Sequence, residues 1–144
     1  MVNPHFTLVF PAEKIVYELL FEHIQKVAEK FEAFEFAIRF ATVGDADFMD
    51  HAHHFLIPDE GFSKIVKLHY AFYLGPPETE LRLDLPFIPH IGIASLSKSE
   101  ACKNLADELN AQNFEIRGKV ETLDIIRYDG LTIETVRKIQ LTTT

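Results

Sequence analysis

Two stretches of this chain repeat one another. Pro89-His90-Ile91-Gly92-Ile93-Ala94 follows the same pattern as Pro4-His5-Phe6-Thr7-Leu8-Val9. Each is Pro-His followed by an apolar, a small and another apolar residue, which reads as a β-strand entered through a proline. Alternate side chains of a strand share a face. His5 and Thr7 therefore point one way and Phe6 and Leu8 the other, and His90 and Gly92 are set the same way against Ile91 and Ile93. The order of elements behind each copy also recurs. After His5 come an amphipathic stretch over 12–31 and the alternating run Phe34-Glu35-Phe36-Ala37-Ile38-Arg39-Phe40; after His90 come a helical stretch from Lys98 to Asn110 and the alternating run from Phe114 to Val120. Strand, helix, strand, twice over, suits a pseudo-symmetric domain whose halves face each other across a groove and bring two imidazoles into one cleft.

Composition narrows what such a cleft can serve. The 144 residues, with 13 Phe, suit one folded domain over 1–144 with a real core. A formal charge of −8 disfavours broad binding to long RNA or DNA, which needs many cations on one surface, but leaves room for a short or single-phosphate ligand. The single cysteine, Cys102, excludes an internal disulfide and fits a reducing compartment. The chain has neither a signal-peptide start nor an apolar run long enough to cross a bilayer, so a soluble, cytoplasmic protein is expected. The charged outer faces of its helices point to a monomer without a membrane partner.

Along the chain, Pro11 is expected to end the first strand and open the first helix, whose apolar stripe runs from Ile15 to Phe31 with His23 at its boundary. Arg39, on the alternating run, is either an exposed strand arginine or a phosphate contact. Gly44 to Asp47 reads as a turn and His53 to Ile57 as a short strand. A second helix is expected over Asp59–Tyr73, with His69 packed and hydrogen-bonded within its apolar stripe. Ser97 and Glu100 have capping-box spacing, which starts a third helix with Cys102 on its buried side. Asp129-Gly130 turns a hairpin between Thr122–Tyr128 and Leu131–Leu141. His51, His53 and His54 form the densest histidine cluster. With no cysteine partner and no His-x-x-x-His, they read as a histidine-rich loop and strand edge rather than a metal site.

The two His-x-[Ser/Thr]-x-like strands, with helices and antiparallel strands between them, resemble the 2H phosphoesterase superfamily, also called the 2′-5′ RNA ligase or LigT-like family. His5-Phe6-Thr7-Leu8 matches the first motif in full. His90-Ile91-Gly92-Ile93 keeps the histidine, the prolyl approach and the hydrophobic positions, with Gly92 where the family has Ser or Thr. The resemblance implies an α+β, bilobal LigT-like fold: two pseudo-symmetric antiparallel β-sheets flanked by helices, with a central groove. It implies hydrolysis of 2′,3′-cyclic phosphates on RNA ends or small nucleotides, without a metal or other cofactor and with ligase-like activity in some members. By position, His5 and His90 would be the acid and base, and Thr7 would bind a non-bridging phosphate oxygen.

The chemistry supports those residue types. Opening a cyclic phosphodiester takes a proton from water and gives one to the leaving oxygen, and imidazole, with a pKa of about 6.5 in water, does either near neutrality. At Gly92 the missing hydroxyl removes a donor worth roughly 2 to 4 kcal/mol in an electrostatic site; a backbone N–H or a water could approach the phosphate there instead. Ser95, an odd number of residues from His90, points to the opposite face of a regular strand, which a bulge would alter. The alternative is a catalytically weakened module of the same fold that binds a nucleotide or phosphate.

Overall fold

A computed structural model describes residues 3–45 and 52–143 of the chain. In order come α1 (Tyr17–Ala28), β1 (Phe34–Asp45), β2 (Ala52–Glu60), α2 (Phe62–Phe72), a short 3-10 helix (Pro76–Glu80), β3 (Ile91–Leu96), α3 (Ser99–Asn110), β4 (Ile116–Val120), β5 (Thr122–Tyr128) and β6 (Ile133–Gln140). The fold is α+β, with two antiparallel sheets flanked by helices. One sheet has the order β3-β2-β1-β4 and the other is the hairpin β5-β6. Glu121 alone separates β4 from β5, so the chain passes from one sheet to the other at a single residue.

Burial explains the layering. The apolar stripes of α1 (Ile24, Val27, Ala28) and α2 (Ile65, Leu68, Phe72) form one cluster with Leu123 and Ile125 of β5 and with Phe34. A second cluster joins Ile38 and Ala41 of β1 to Leu56 of β2, with Leu109 of α3 packed against it. Asn110 fixes α3 to the sheet by accepting from Ala41 N at 2.7 Å and donating to Ala41 O at 2.8 Å. Cys102 is a core residue, as its place in the stripe predicts, and its thiol donates to Ala52 O at 3.2 Å. Asp129 accepts from the N–H groups of Leu131 and Thr132 across the β5-β6 turn, where Gly130 takes φ 93°. Among the described residues no helix is long and apolar enough to cross a membrane.

Several elements differ from expectation. His5 to Phe10 joins neither sheet. Prolines at 4 and 11 remove donors from both ends of the segment, and two of its backbone groups, Leu8 O and Phe10 N, bond instead to side chains of α2 and the residue after it. The first helix begins at Tyr17 rather than near Ala12, because the β-branched pair Ile15-Val16 stays outside it and Val16 is extended at ψ 132°. The second begins at Phe62, since Asp59 and Glu60 remain in β2. Gly61 makes the corner at φ 88°, where a Cβ would lie 2.9 Å from Glu35 O and from the Phe36 Cβ. The capping box at Ser97 does not form: Lys98 is the N-cap of α3 and no side chain bonds there. Strict alternation in β1 would set Ala37 and Ala41 on the side opposite Phe34, Phe36, Ile38 and Phe40, facing solvent or the groove; the register with β2 slips at Ala37/Ile38 and between Ile38 and Phe40, and both alanines are buried.

Candidate active site

The two motif histidines are held in the same way. His5 is exposed and its Nδ1 lies 2.7 Å from Asn3 O; His90 is half-buried and its Nδ1 lies 2.7 Å from Ile88 O. A carbonyl only accepts, so each Nδ1 carries the proton and donates it to the backbone two residues upstream. The other ring nitrogen, Nε2, is thereby fixed as the one that gains or loses a proton. This arrangement serves both charge states, because Nδ1–H is present in neutral imidazole of this tautomer and in imidazolium.

Each motif rests on a phenylalanine of the larger sheet. Phe6, beside His5, meets Phe36 edge-on with ring centroids 5.1 Å apart. His90 lies over Phe55 with centroids 3.9 Å apart and planes tilted by 32°. Glycines make room for both rings. A Cβ at Gly44 would sit 2.0 Å from the Phe55 ring, and one at Gly118 would sit 2.4 Å from the Phe36 ring.

The motif segments converge on α2. His69, 1% exposed, donates from Nδ1 to Leu8 O at 2.6 Å and lies flat on Phe87, with centroids 3.6 Å apart and planes within 1°. One turn on, Tyr73 accepts from Phe10 N at 3.2 Å, and burial pushes its phenol pKa upward. The packed, hydrogen-bonded core histidine expected at position 69 is what the structure shows. Its partners, one in the first motif segment and one on the approach to the second, are not legible in the helix pattern.

Thr7 is exposed beside His5. Gly92 is the second residue of β3 and pairs with Phe55, and a Cβ built on it would meet nothing within 4 Å. Between Gly92 and Ala94 the pairing with β2 slips by one residue, so Gly92 faces Phe55 while Ala94 faces His54 and Ser95 faces His53. Cross-strand partners share a face, as do His53 and Phe55 in β2. The bulge therefore turns Ser95 to the side of Gly92 rather than the opposite one.

The remaining candidates are committed elsewhere. His53 and His54 are consecutive in β2 and face opposite ways: His53 stacks near Phe55 at 5.9 Å, while His54 is fully buried with neither ring nitrogen bonded. They do not converge on one ion, and His51 lies outside the described residues. Of the turn expected over Gly44–Asp47, Gly44 and Asp45 instead end β1, paired with His53 and Ala52, and positions 46 and 47 lie outside the described residues. His23, in the middle of α1, is half-buried at the edge of its apolar stripe as expected, with Nε2 2.7 Å from Phe72 O. Arg39 contacts Glu60 at 2.6 Å, Glu115 at 2.8 Å and Asp59 at 3.5 Å. The hydrogen bonds to Glu60 and then Glu115 raise its pKa further, so its guanidinium is held by carboxylates in an exposed strand network. A cavity of about 350 Å³ between α1 and β6, edged by Phe21, Glu29 and Arg137, includes no residue of either motif.

No curated protein matches the chain in sequence. In three dimensions it is similar to the crystal structure of TT0787 of Thermus thermophilus, with a TM-score of 0.64 and 17% identity over 97% of this chain and 79% of that one. At that identity the likeness speaks for the fold. The sequence also matches the family model described as the 2′-5′ RNA ligase superfamily over residues 1–132, which include both Pro-His motifs and every helix. The chain therefore belongs to the 2′-5′ RNA ligase superfamily.

Proposed function

We propose that the protein is a metal-independent phosphodiesterase that opens 2′,3′-cyclic phosphates on RNA ends or small nucleotides, with His5 and His90 as its acid and base. The supporting observation is the matched tethering of the two rings through Nδ1, at 2.7 Å to Asn3 O and 2.7 Å to Ile88 O. It leaves a proton-transferring Nε2 on each. A neutral imidazole takes a proton from the attacking water as the water oxygen bonds to phosphorus. The bond to one ribose oxygen breaks, and the other, protonated imidazole gives that oxygen its Nε2 proton. The product is a phosphomonoester, and the two histidines finish with exchanged protonation states. Thr7 donates its hydroxyl to a non-bridging oxygen, and the open backbone at Gly92 lets an N–H or a water approach the other side. The working form is a cytoplasmic monomer that takes a cyclic nucleotide or short RNA end.

The test is incubation with 2′,3′-cyclic nucleotides and cyclic-phosphate-ended oligoribonucleotides in EDTA, identifying the position of the product phosphate. Turnover should persist in the chelator and fall by roughly 10²–10⁴-fold in both His5→Ala and His90→Ala. Activity surviving both substitutions removes the two-histidine mechanism. Gly92, with no side chain where a second phosphate donor is needed, favours one other reading: a nucleotide- or phosphate-binding module of the same fold with weakened turnover. Ligand binding without product at high protein concentration would distinguish it.

A further inference from the structure

We infer that His69 is a positioning residue that sets the spacing of the two catalytic segments; this rests on the reading of His5 and His90 as partners at one phosphate. The first segment has no sheet ladder to hold it: from His5 to Phe10 the chain pairs with no strand. Its backbone is tied by side chains instead, at Leu8 O through His69 and at Phe10 N through Tyr73. The second segment reaches the same imidazole from the other direction, because Phe87 lies flat on His69 and the next residue, Ile88, supplies the carbonyl that tethers His90. A continuous path results. It runs from Thr7 into the Leu8 carbonyl, across the buried ring to Phe87, and through Ile88 to the His90 imidazole.

Each end of this bracket uses a different property of the ring. The Leu8 end needs a donor at Nδ1, and the Phe87 end needs a flat ring. Phenylalanine at position 69 keeps only the flat ring, and asparagine, whose side-chain amide can reach where Nδ1 stands, keeps only the donor. Leucine at position 87 leaves the Leu8 bond intact and releases only the second segment. A displacement of about 1 Å between groups acting on one phosphorus is enough to cost roughly a hundredfold in rate.

The experiment compares His69→Phe, His69→Asn and Phe87→Leu with the parent, at a temperature where each is folded by circular dichroism. The first reading is kcat per folded molecule on a 2′,3′-cyclic nucleotide, with KM. The second is the distance distribution between spin labels at positions 3 and 88 in a Cys102→Ser background. The expected result is a kcat lowered roughly ten- to a hundredfold in His69→Phe with KM within about threefold, partial recovery in His69→Asn, and a broadened label distance in His69→Phe and Phe87→Leu. A purely structural histidine would lower the melting temperature and leave kcat per folded molecule and the label distance unchanged, which would overturn the inference. If His69→Phe does not fold, Phe87→Leu carries the same two readings. If the parent shows no turnover at all, the proposed activity fails, and the label distance alone still decides whether His69 spaces the two segments.

Discussion

The Phe55 ring stands between Gly44 and His90. It lies 3.9 Å from the imidazole, centroid to centroid, and takes the space a Cβ at position 44 would need, 2.0 Å from its edge. Gly44 thus serves the site by its lack of a side chain rather than by its conformation: any side chain there pushes on the ring that carries His90.

Gly44→Ala should therefore impair both stability and activity. Overpacking of this kind typically costs about 1–3 kcal/mol, and displacement of Phe55 moves the surface on which His90 rests. Adding Phe55→Leu should relieve the clash, so the double variant is expected to be more stable than the sum of the two single changes predicts. Urea unfolding of the four proteins checks this. Strict additivity would mean that the two positions do not press on one another.

Gly92→Thr should increase turnover. Position 92 opens onto free space, so a threonine side chain enters without displacing anything, and its β-branched form suits a strand. A second hydroxyl beside the phosphate would restore a donor whose removal costs roughly 10²–10³ in comparable electrostatic sites. At least a tenfold rise in kcat is expected on that scale. Ser95 complicates the comparison, since the bulge turns it to the same side; Ser95→Ala should be measured beside Gly92→Thr. A rate unchanged by Gly92→Thr would show that the phosphate does not approach position 92.

What is legible in the sequence is what depends on neighbours along the chain. The Pro-His motifs, the charged and apolar sides of the helices, the Asp129-Gly130 turn and the buried place of Cys102 follow from spacing alone. What is not legible depends on partners far away in sequence. The slip that turns Ser95 around emerges only when β3 is laid against β2, and the missing ladder of residues 5–10 only when His69 and Tyr73 are seen to take its backbone groups. Arg39 reads as available for a phosphate because its three carboxylate neighbours come from another strand or the approach to one. Phe55, as one aromatic in a short strand, carries no signal of its own. The combination of a glycine at 44 with an aromatic on the adjoining strand is the one clue to its role, and reading it requires the register.

Two buried histidines should make the fold sensitive to mild acid. Burial lowers the pKa of His54, and burial lowers that of His69 against the opposing effect of its bond to Leu8. An unfolded histidine titrates near about 6.5. Above that pH both states leave these rings neutral and the stability they allow is fully present. As the pH falls below it, the unfolded chain takes up protons that the folded chain refuses, so stability declines by up to about 1.4 kcal/mol per pH unit for each ring until the depressed folded pKa is reached. The window between about pH 6.5 and 5 lies above the ordinary carboxylate range and isolates this effect. His54 contributes a second, pH-independent cost, because a neutral imidazole with a bonded partner for neither nitrogen leaves one donor and one acceptor unsatisfied in the core. His54→Leu removes both liabilities. It should be more stable than the parent at about pH 7.5 by about 1 kcal/mol, and its stability should fall less steeply between about pH 6.5 and 5. Urea unfolding across this pH range measures both quantities, and parallel pH profiles for parent and variant would place the acid sensitivity in other groups.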